Sequence, residues 1–363
     1  MRRERPKKSG RRRRVAAALA VLALAVGVVA GVLWLTRDRS VAFFKTESAE
    51  ASYMAAYDAV LAKWPVAYED ITVPTRLGAT HVIASGPADA PPLVLLHAAM
   101  ATATVWRPNV EALSEHFRVY AVDVVGQGGR TVASRKIESR RDYADWLNDL
   151  FDGLGIARAS IVGNSYGGFI AFNQAAMAPE RIDRIVLISP AGGFVSIMPV
   201  FRSMIYQALK GMLLGVFGAG GPRPDLLAAI AGQAGFNEED EDWLALGRQL
   251  MDGSQRINMI MPAALSDAEL RAIRAPTLLL IAEHEILYEA EPTLESAMTR
   301  MPGLEAEIVQ GAHHLAAMAQ PDAVNARIVD FLQADGRKTA GMKIHALRGV
   351  VVVGDPRVRG ARN

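Results

Sequence analysis

The 363 residues are 51% hydrophobic and 21% charged, a globular composition with a slight apolar excess. The absence of cysteine excludes a disulfide framework, a thiolate-bound metal and a thiol nucleophile, and leaves the compartment open. The net charge of +2 is unevenly spread: residues 1–14 carry +8 and residues 336–363 carry +6, leaving −12 on the body between them. A nucleic-acid-binding domain carries its positive charge on the folded body, so nucleic acid is not expected as a partner.

Residues 1–14 form a basic segment that ends in Arg11–Arg14. Residues 15–35 follow without a charge and would span about 31 Å as a helix, close to the hydrocarbon thickness of a bilayer. The larger positive charge precedes this run, so a signal anchor is expected, with the N-terminus cytoplasmic and the rest extracytoplasmic. Trp34 suits the membrane interface. A cleaved signal peptide is the competing reading, with Val28-Val29-Ala30 as the cleavage site and a secreted product.

A helix is predicted over residues 48–63, then short strands over 71–76 and 81–85. Residues 93–97 are a continuous apolar run, as in a strand buried on both faces. Alternation follows: helix 106–116, strand 117–122, helix 142–153, strand 159–163, helix 169–178, strand 185–189. After residue 274 come strands 277–282 and 306–309 and a closing helix 322–333. Strands alternating with helices predict an α/β fold whose mostly parallel sheet is covered on both faces. The expected domain spans residues 40–335. The pattern lapses over about 191–273, where apolar helices at 195–217 and 237–253 suggest a lid. Phe194, Met198, Phe201, Met204 and Tyr206 are expected mainly to pack that lid on the core. The basic tail 336–363 is expected to be disordered or weakly attached, and no function is assigned to it.

The chemistry concentrates in a few residues. Gly163-Asn164-Ser165-Tyr166-Gly167 lies between a predicted strand and a predicted helix, the context that gives G-x-S-x-G meaning as a nucleophile elbow. Small residues two before and two after the serine permit the strained turn. A serine hydroxyl needs a base, and Gly311-Ala-His313-His314 follows the last predicted strand; His314 is preferred, with His313 as the alternative. Glu283-His-Glu285 follows the preceding strand. Glu285 is the preferred acid, with Glu283 and the more distant Glu289 as alternatives. The oxyanion donors are expected to be the N–H of Tyr166 and that of Ala99, or else of Met100. Asp123 ends a strand, but the following Gly126-Gln-Gly128-Gly129 points to loop shaping. No metal-ligand spacing, Rossmann fingerprint or P-loop appears, so neither metal nor cofactor is implied.

Leu93-Val-Leu-Leu-His97, Tyr120-Ala-Val-Asp123-Val-Val-Gly126-Gln-Gly128, Gly163-Asn-Ser-Tyr-Gly-Gly168, Ala275-Pro-Thr-Leu-Leu-Leu-Ile281 and Gly311-Ala-His-His314 stand in the order seen in the α/β-hydrolase superfamily, which the chain resembles over about residues 55–334. Trp64-Pro-Val-Ala-Tyr68 and the pair Glu285/Tyr288 look like bacterial carboxylesterases of the naproxen-esterase type. The resemblance implies Ser165 as nucleophile, Glu285 as acid, His314 as base, and Tyr166 with Ala99 as oxyanion donors. It departs from the family at Ala98, where His-Gly is usual. If that position needs a positive φ, alanine costs about 1 kcal/mol and could misplace the second donor. His97 is expected to support the loop. The implied activity is hydrolysis of small, fairly apolar carboxylic esters. Acyl transfer, C–C hydrolysis, lyase chemistry and a catalytically silent binding protein are the alternatives. Oligomeric state is not legible in the sequence.

Overall fold

The computed structural model describes residues 43–200, 202–203, 241–254, 258–334 and 350–351. The expected anchor at 15–35 and most of the first lid helix lie outside the described residues. Among the described residues, no helix is long and apolar enough to cross a membrane.

The strands are β1 (Tyr68–Thr75), β2 (Gly78–Ser85), β3 (Pro92–Leu96), β4 (Arg118–Val122), β5 (Val132–Ala133), β6 (Ala159–Asn164), β7 (Ile182–Ile188), β8 (Thr277–His284), β9 (Glu305–His313) and β10 (Val350–Val351). They form one sheet in the order β1-β2-β4-β3-β6-β7-β8-β9-β10, with β5 pairing β2 off this path. From β4 to β9 every pairing is parallel, and β1 and β2 close one edge antiparallel. The helices are α1 (Glu47–Leu61), α2 (Arg107–Ser114), α3 (Arg140–Gly153), α4 (Tyr166–Met177), α5 (Glu241–Gly253), α6 (Asp267–Ala272), α7 (Ala290–Arg300), α8 (Ala316–Ala319) and α9 (Pro321–Gln333).

Both faces of the sheet are buried. Along β3, Leu93 and Leu95 enter one core with residues of α1, α2 and α9, while Val94 and Leu96 enter the other with α3 and α4. This is why the parallel strands read as continuous apolar runs. The chain winds from β3 to β4 on one side and from β6 to β9 on the other, so the loops after β3 and β6 lie side by side at the reversal, where open α/β sheets place their sites.

Two differences from the sequence reading have physical causes. The helices α6 and α7 were not anticipated, although Ser266-Asp-Ala-Glu269 forms a capping box that starts α6. Strands β8 and β9 run further than their apolar cores, because their polar ends still pair, His284 opposite His313. Of the tail, Val350–Val351 pair antiparallel with Val309 and Ile308 and so cover the edge of β9, and the rest of 336–363 lies outside the described residues.

Of the lid residues, Phe194 is buried edge-on against Phe172 at 4.9 Å between ring centroids. Met198 is 38% exposed. Phe201, Met204 and Tyr206 lie outside the described residues. The second expected helix appears as α5, whose Leu246 and Leu250 join the core on the α1 side.

Candidate active site

Ser165 sits between β6 and α4 at φ 50° and ψ −110°, a backbone state that non-glycine residues rarely adopt. Such strain persists only where the surroundings over-determine it. Here a Cβ on Gly163 would lie 2.4 Å from Gly167 O, and one on Gly167 would lie 2.0 Å from Leu96 O. The small residues therefore let the elbow close on itself and press the start of α4 against the end of β3. Tyr166 opens α4, so its N–H has no intrahelical acceptor, and the helix dipole favours negative charge at that point.

The loops after β8 and β9 complete the constellation. His314 Nε2 lies 2.9 Å from Ser165 Oγ. His314 Nδ1 lies 2.7 and 2.9 Å from the two Glu285 oxygens. Ser165 and His314 are nearly buried, and the Glu285 side chain is fully so. Burial alone would raise the Glu285 carboxyl. The charge and hydrogen bond of His314, with the Ser189 hydroxyl and the Leu287 N–H, outweigh it and hold the carboxyl below its ordinary value. Glu285 Oε1 also accepts the Ile286 and Leu287 N–H groups at 2.8 and 2.9 Å.

The alternatives fall elsewhere. Glu283 is exposed and accepts the Gly311 N–H at 2.6 Å, bracing β8 against β9. His313 ends β9 with its ring 4.9 Å from that of His284. Glu289 is the exposed N-cap of α7. His313 and His314 are adjacent and so turn to opposite sides, whereas Glu285 lies just past the end of β8 and Glu289 caps α7 further along the chain.

Ser189 was missed by the sequence reading. It follows β7 at φ 42°, accepts the Ala282 N–H at 3.1 Å and holds Glu285. Only its place after an apolar run and before Pro190 could have drawn attention to it. Tyr288 lies near Glu285 with its hydroxyl buried and without a hydrogen-bond partner among the described residues; burial first, and then the Glu285 charge, push that hydroxyl well above its ordinary pKa.

Ala99 and Met100 follow β3. Met100 has φ 60°, and Ala98 is not among the residues with positive φ. The left-handed turn lies two residues later than the expectation for Ala98 supposed, so alanine there carries none of the strain that glycine would relieve. His97 supports this loop as expected: its Nδ1 lies 2.7 Å from Ala98 O, and its Nε2 accepts the Val124 N–H at 2.9 Å. Full burial pushes its pKa down, which keeps the imidazole neutral in that bridging role.

Asp123 shapes the neighbouring loop. It is wholly buried and accepts from the N–H groups of Ala103 and Arg130 and from the Tyr57 hydroxyl at 2.7, 2.8 and 2.9 Å. A Cβ on Gly129, at φ 75°, would lie 2.1 Å from its carboxyl carbon. Among the described residues, no group of histidine and acidic side chains could hold a metal ion.

The alpha/beta hydrolase family model matches residues 93–327. The carboxylesterase YbfK of Bacillus subtilis is 39% identical over 302 residues, covering 81% of this chain and 97% of its own. A second Bacillus subtilis protein, the uncharacterized carboxylesterase nap, is 36% identical over 286 residues, covering 78% and 93%. The crystal structure of naproxen esterase from Bacillus subtilis superposes with a TM-score of 0.70 at 33% identity, covering 80% of this chain and all of the other.

Proposed function

Because the chain belongs to the alpha/beta hydrolase family and is a hydrolase with carboxylesterase relatives, we propose that it cleaves carboxylic esters through an acyl-enzyme on Ser165. The observation that carries this reading is the unbroken line from Glu285 through His314 to the Ser165 hydroxyl. Ser165 Oγ attacks the ester carbonyl carbon while its proton passes to His314 Nε2. Glu285, held ionised, fixes the imidazole with Nδ1–H as donor and stabilises the imidazolium that forms. Negative charge on the carbonyl oxygen is met by the N–H groups of Tyr166 and Ala99. Collapse expels the alcohol, which takes the proton from His314. Water then attacks the acyl group with His314 as base, and the acid leaves. No cofactor takes part in these steps.

Fairly apolar esters are the preferred class, supported by the apolar character of residues 195–217 and of the segment 15–35. That segment acts as the membrane anchor, with residues 1–14 cytoplasmic and residues 40–335 outside, supported by its charge-free length and by Arg11–Arg14 before it. Protease added to intact spheroplasts should degrade the catalytic body; protection of that body would sink the topology. An N-terminus beginning just after Ala30 would establish a cleaved signal instead.

The test of the chemistry is labelling of the full-length chain in detergent by a fluorophosphonate probe, beside Ser165→Ala and His314→Ala. Labelling of the parent alone is expected, followed by turnover of p-nitrophenyl esters. A folded parent that neither labels nor turns over would refute the reading. Product analysis with competing alcohols separates hydrolysis from acyl transfer.

A further inference from the structure

The loop after β3 offers two N–H groups in succession. Met100, at φ 60°, donates its N–H to Gln127 Oε1 at 3.2 Å, while no acceptor among the described residues meets the Ala99 N–H. Gln127 has no accessible surface, and its own N–H closes a turn on Val124 O at 3.1 Å. Its amide also meets the Tyr143 hydroxyl, a contact that works against the rise in pKa that burial imposes on that phenol. A buried amide needs polar partners, whereas an apolar side chain would fill the same space without that demand. Packing alone therefore does not call for a glutamine here, whereas its polar contacts with Met100 and Tyr143 do.

The loop that carries Gln127 is gripped from two directions. At its start Asp123 binds the N–H groups of Ala103 and Arg130. Further on, Gly126 O accepts the Asn258 N–H at 2.9 Å. Two residues beyond, the Ile260 N–H and carbonyl both bond the Tyr166 hydroxyl, at 3.2 and 3.0 Å. The segment 258–260 thus ties the Gln127 loop to the residue that supplies the first oxyanion donor.

We propose that Gln127 is a positioning residue: by engaging the Met100 N–H through Oε1, it fixes the loop after β3 so that the Ala99 N–H is the second donor to the oxyanion. The proposal rests on the serine-hydrolase reading above. Gln127 touches no reacting atom, and its effect passes through the peptide between Ala99 and Met100.

The experiment compares the full-length chain with Gln127→Leu and Gln127→Glu, using p-nitrophenyl butyrate across a range of pH. Gln127→Leu removes the acceptor, and kcat is expected to fall roughly 10- to 100-fold with KM within about twofold, because an oxyanion donor acts mainly in the transition state. Gln127→Glu keeps an oxygen for Met100 but adds a titratable charge. Its kcat relative to the parent should be highest at low pH and should fall as the carboxyl ionises one peptide from the developing anion. A merely structural role would shift the unfolding midpoint and leave that ratio flat. The proposal is overturned by a flat ratio, or by a folded Gln127→Leu whose kcat stays within about threefold of the parent. Should Gln127→Leu fail to fold, the Gln127→Glu ratio decides alone. Ser165-dependent activity in the parent with unaffected Gln127 variants sinks only this proposal; its absence sinks the reading beneath it as well.

Discussion

Two acid–histidine pairs lie buried among the described residues, and they differ in what the second ring nitrogen meets. His314 holds Glu285 through Nδ1 and faces the Ser165 hydroxyl through Nε2 at 2.9 Å. His81 lies 2.8 Å from Asp123 through Nδ1, but its Nε2 lies 3.0 Å from Asp70. A hydroxyl can surrender a proton to a free nitrogen, whereas two carboxylates only pin an imidazolium between them. Burial alone would lower His81, yet the hydrogen bond and charge of Asp123, helped by Asp70, raise it. Burial alone would raise Asp123, yet His81 and the N–H groups of Ala103 and Arg130 lower it. Arg130 adds ion pairs to Asp58 and Asp70 and lies over the Tyr57 ring. Similar residue types thus give a pair aimed at a hydroxyl in one place and a clasp in the other.

The sharpest contrast comes from removing one member of each. Ser165→Ala should lose about 10⁴-fold or more in kcat, while urea unfolding stays close to the parent. Asp123→Asn should do the reverse. Breaking a buried charge pair costs about 3–5 kcal/mol of stability, yet the folded fraction should still label at Ser165. Loss of labelling from folded Asp123→Asn would mean that the two pairs are not separable.

A pH series sharpens the same contrast. The folded His81 value lies above 6.5, so its contribution is full below that pH and is lost as pH rises through the raised value. The folded Asp123 value lies below 3.8, so its contribution is present above that pH and is lost as pH falls through the lowered value. Stability from the clasp should therefore be greatest between these limits. Replacing His81 by glutamine should flatten the alkaline side of an unfolding-midpoint profile; an unchanged profile would show that the pair carries no linkage.

The smallest effect is expected at Ala98. Because the left-handed residue of that loop is Met100, Ala98→Gly should leave kcat within about twofold of the parent. A large gain would mean that alanine does strain the oxyanion loop.

Much of this architecture is legible in the residues. The apolar runs at 93–97 and 159–163 mark strands buried on both faces, and the small residues around Ser165 mark a turn that only such residues permit. Asp123 and His97 were readable as loop supports from the glycines and the strand end beside them. The capping box at Ser266 was equally local and was overlooked. Ser189 and Gln127 had no comparable signal, since their roles lie in bonds to Glu285 and Met100 far along the chain.

Local sequence alone determined where the buried strands run and where the elbow lies, because continuous burial and tight backbone approach constrain residue type at each position. It also narrowed the acid to a few glutamates and the base to two histidines. It favours Glu285 and His314 among them, but the lengths of β8 and β9, which set where the loops after them begin, are not legible in it. The polar ends of those strands pair beyond their apolar cores, and that pairing brings Glu285 and His314 together beside Ser165. Pairing of this kind depends on a neighbour distant in sequence, so only the tertiary structure could decide it.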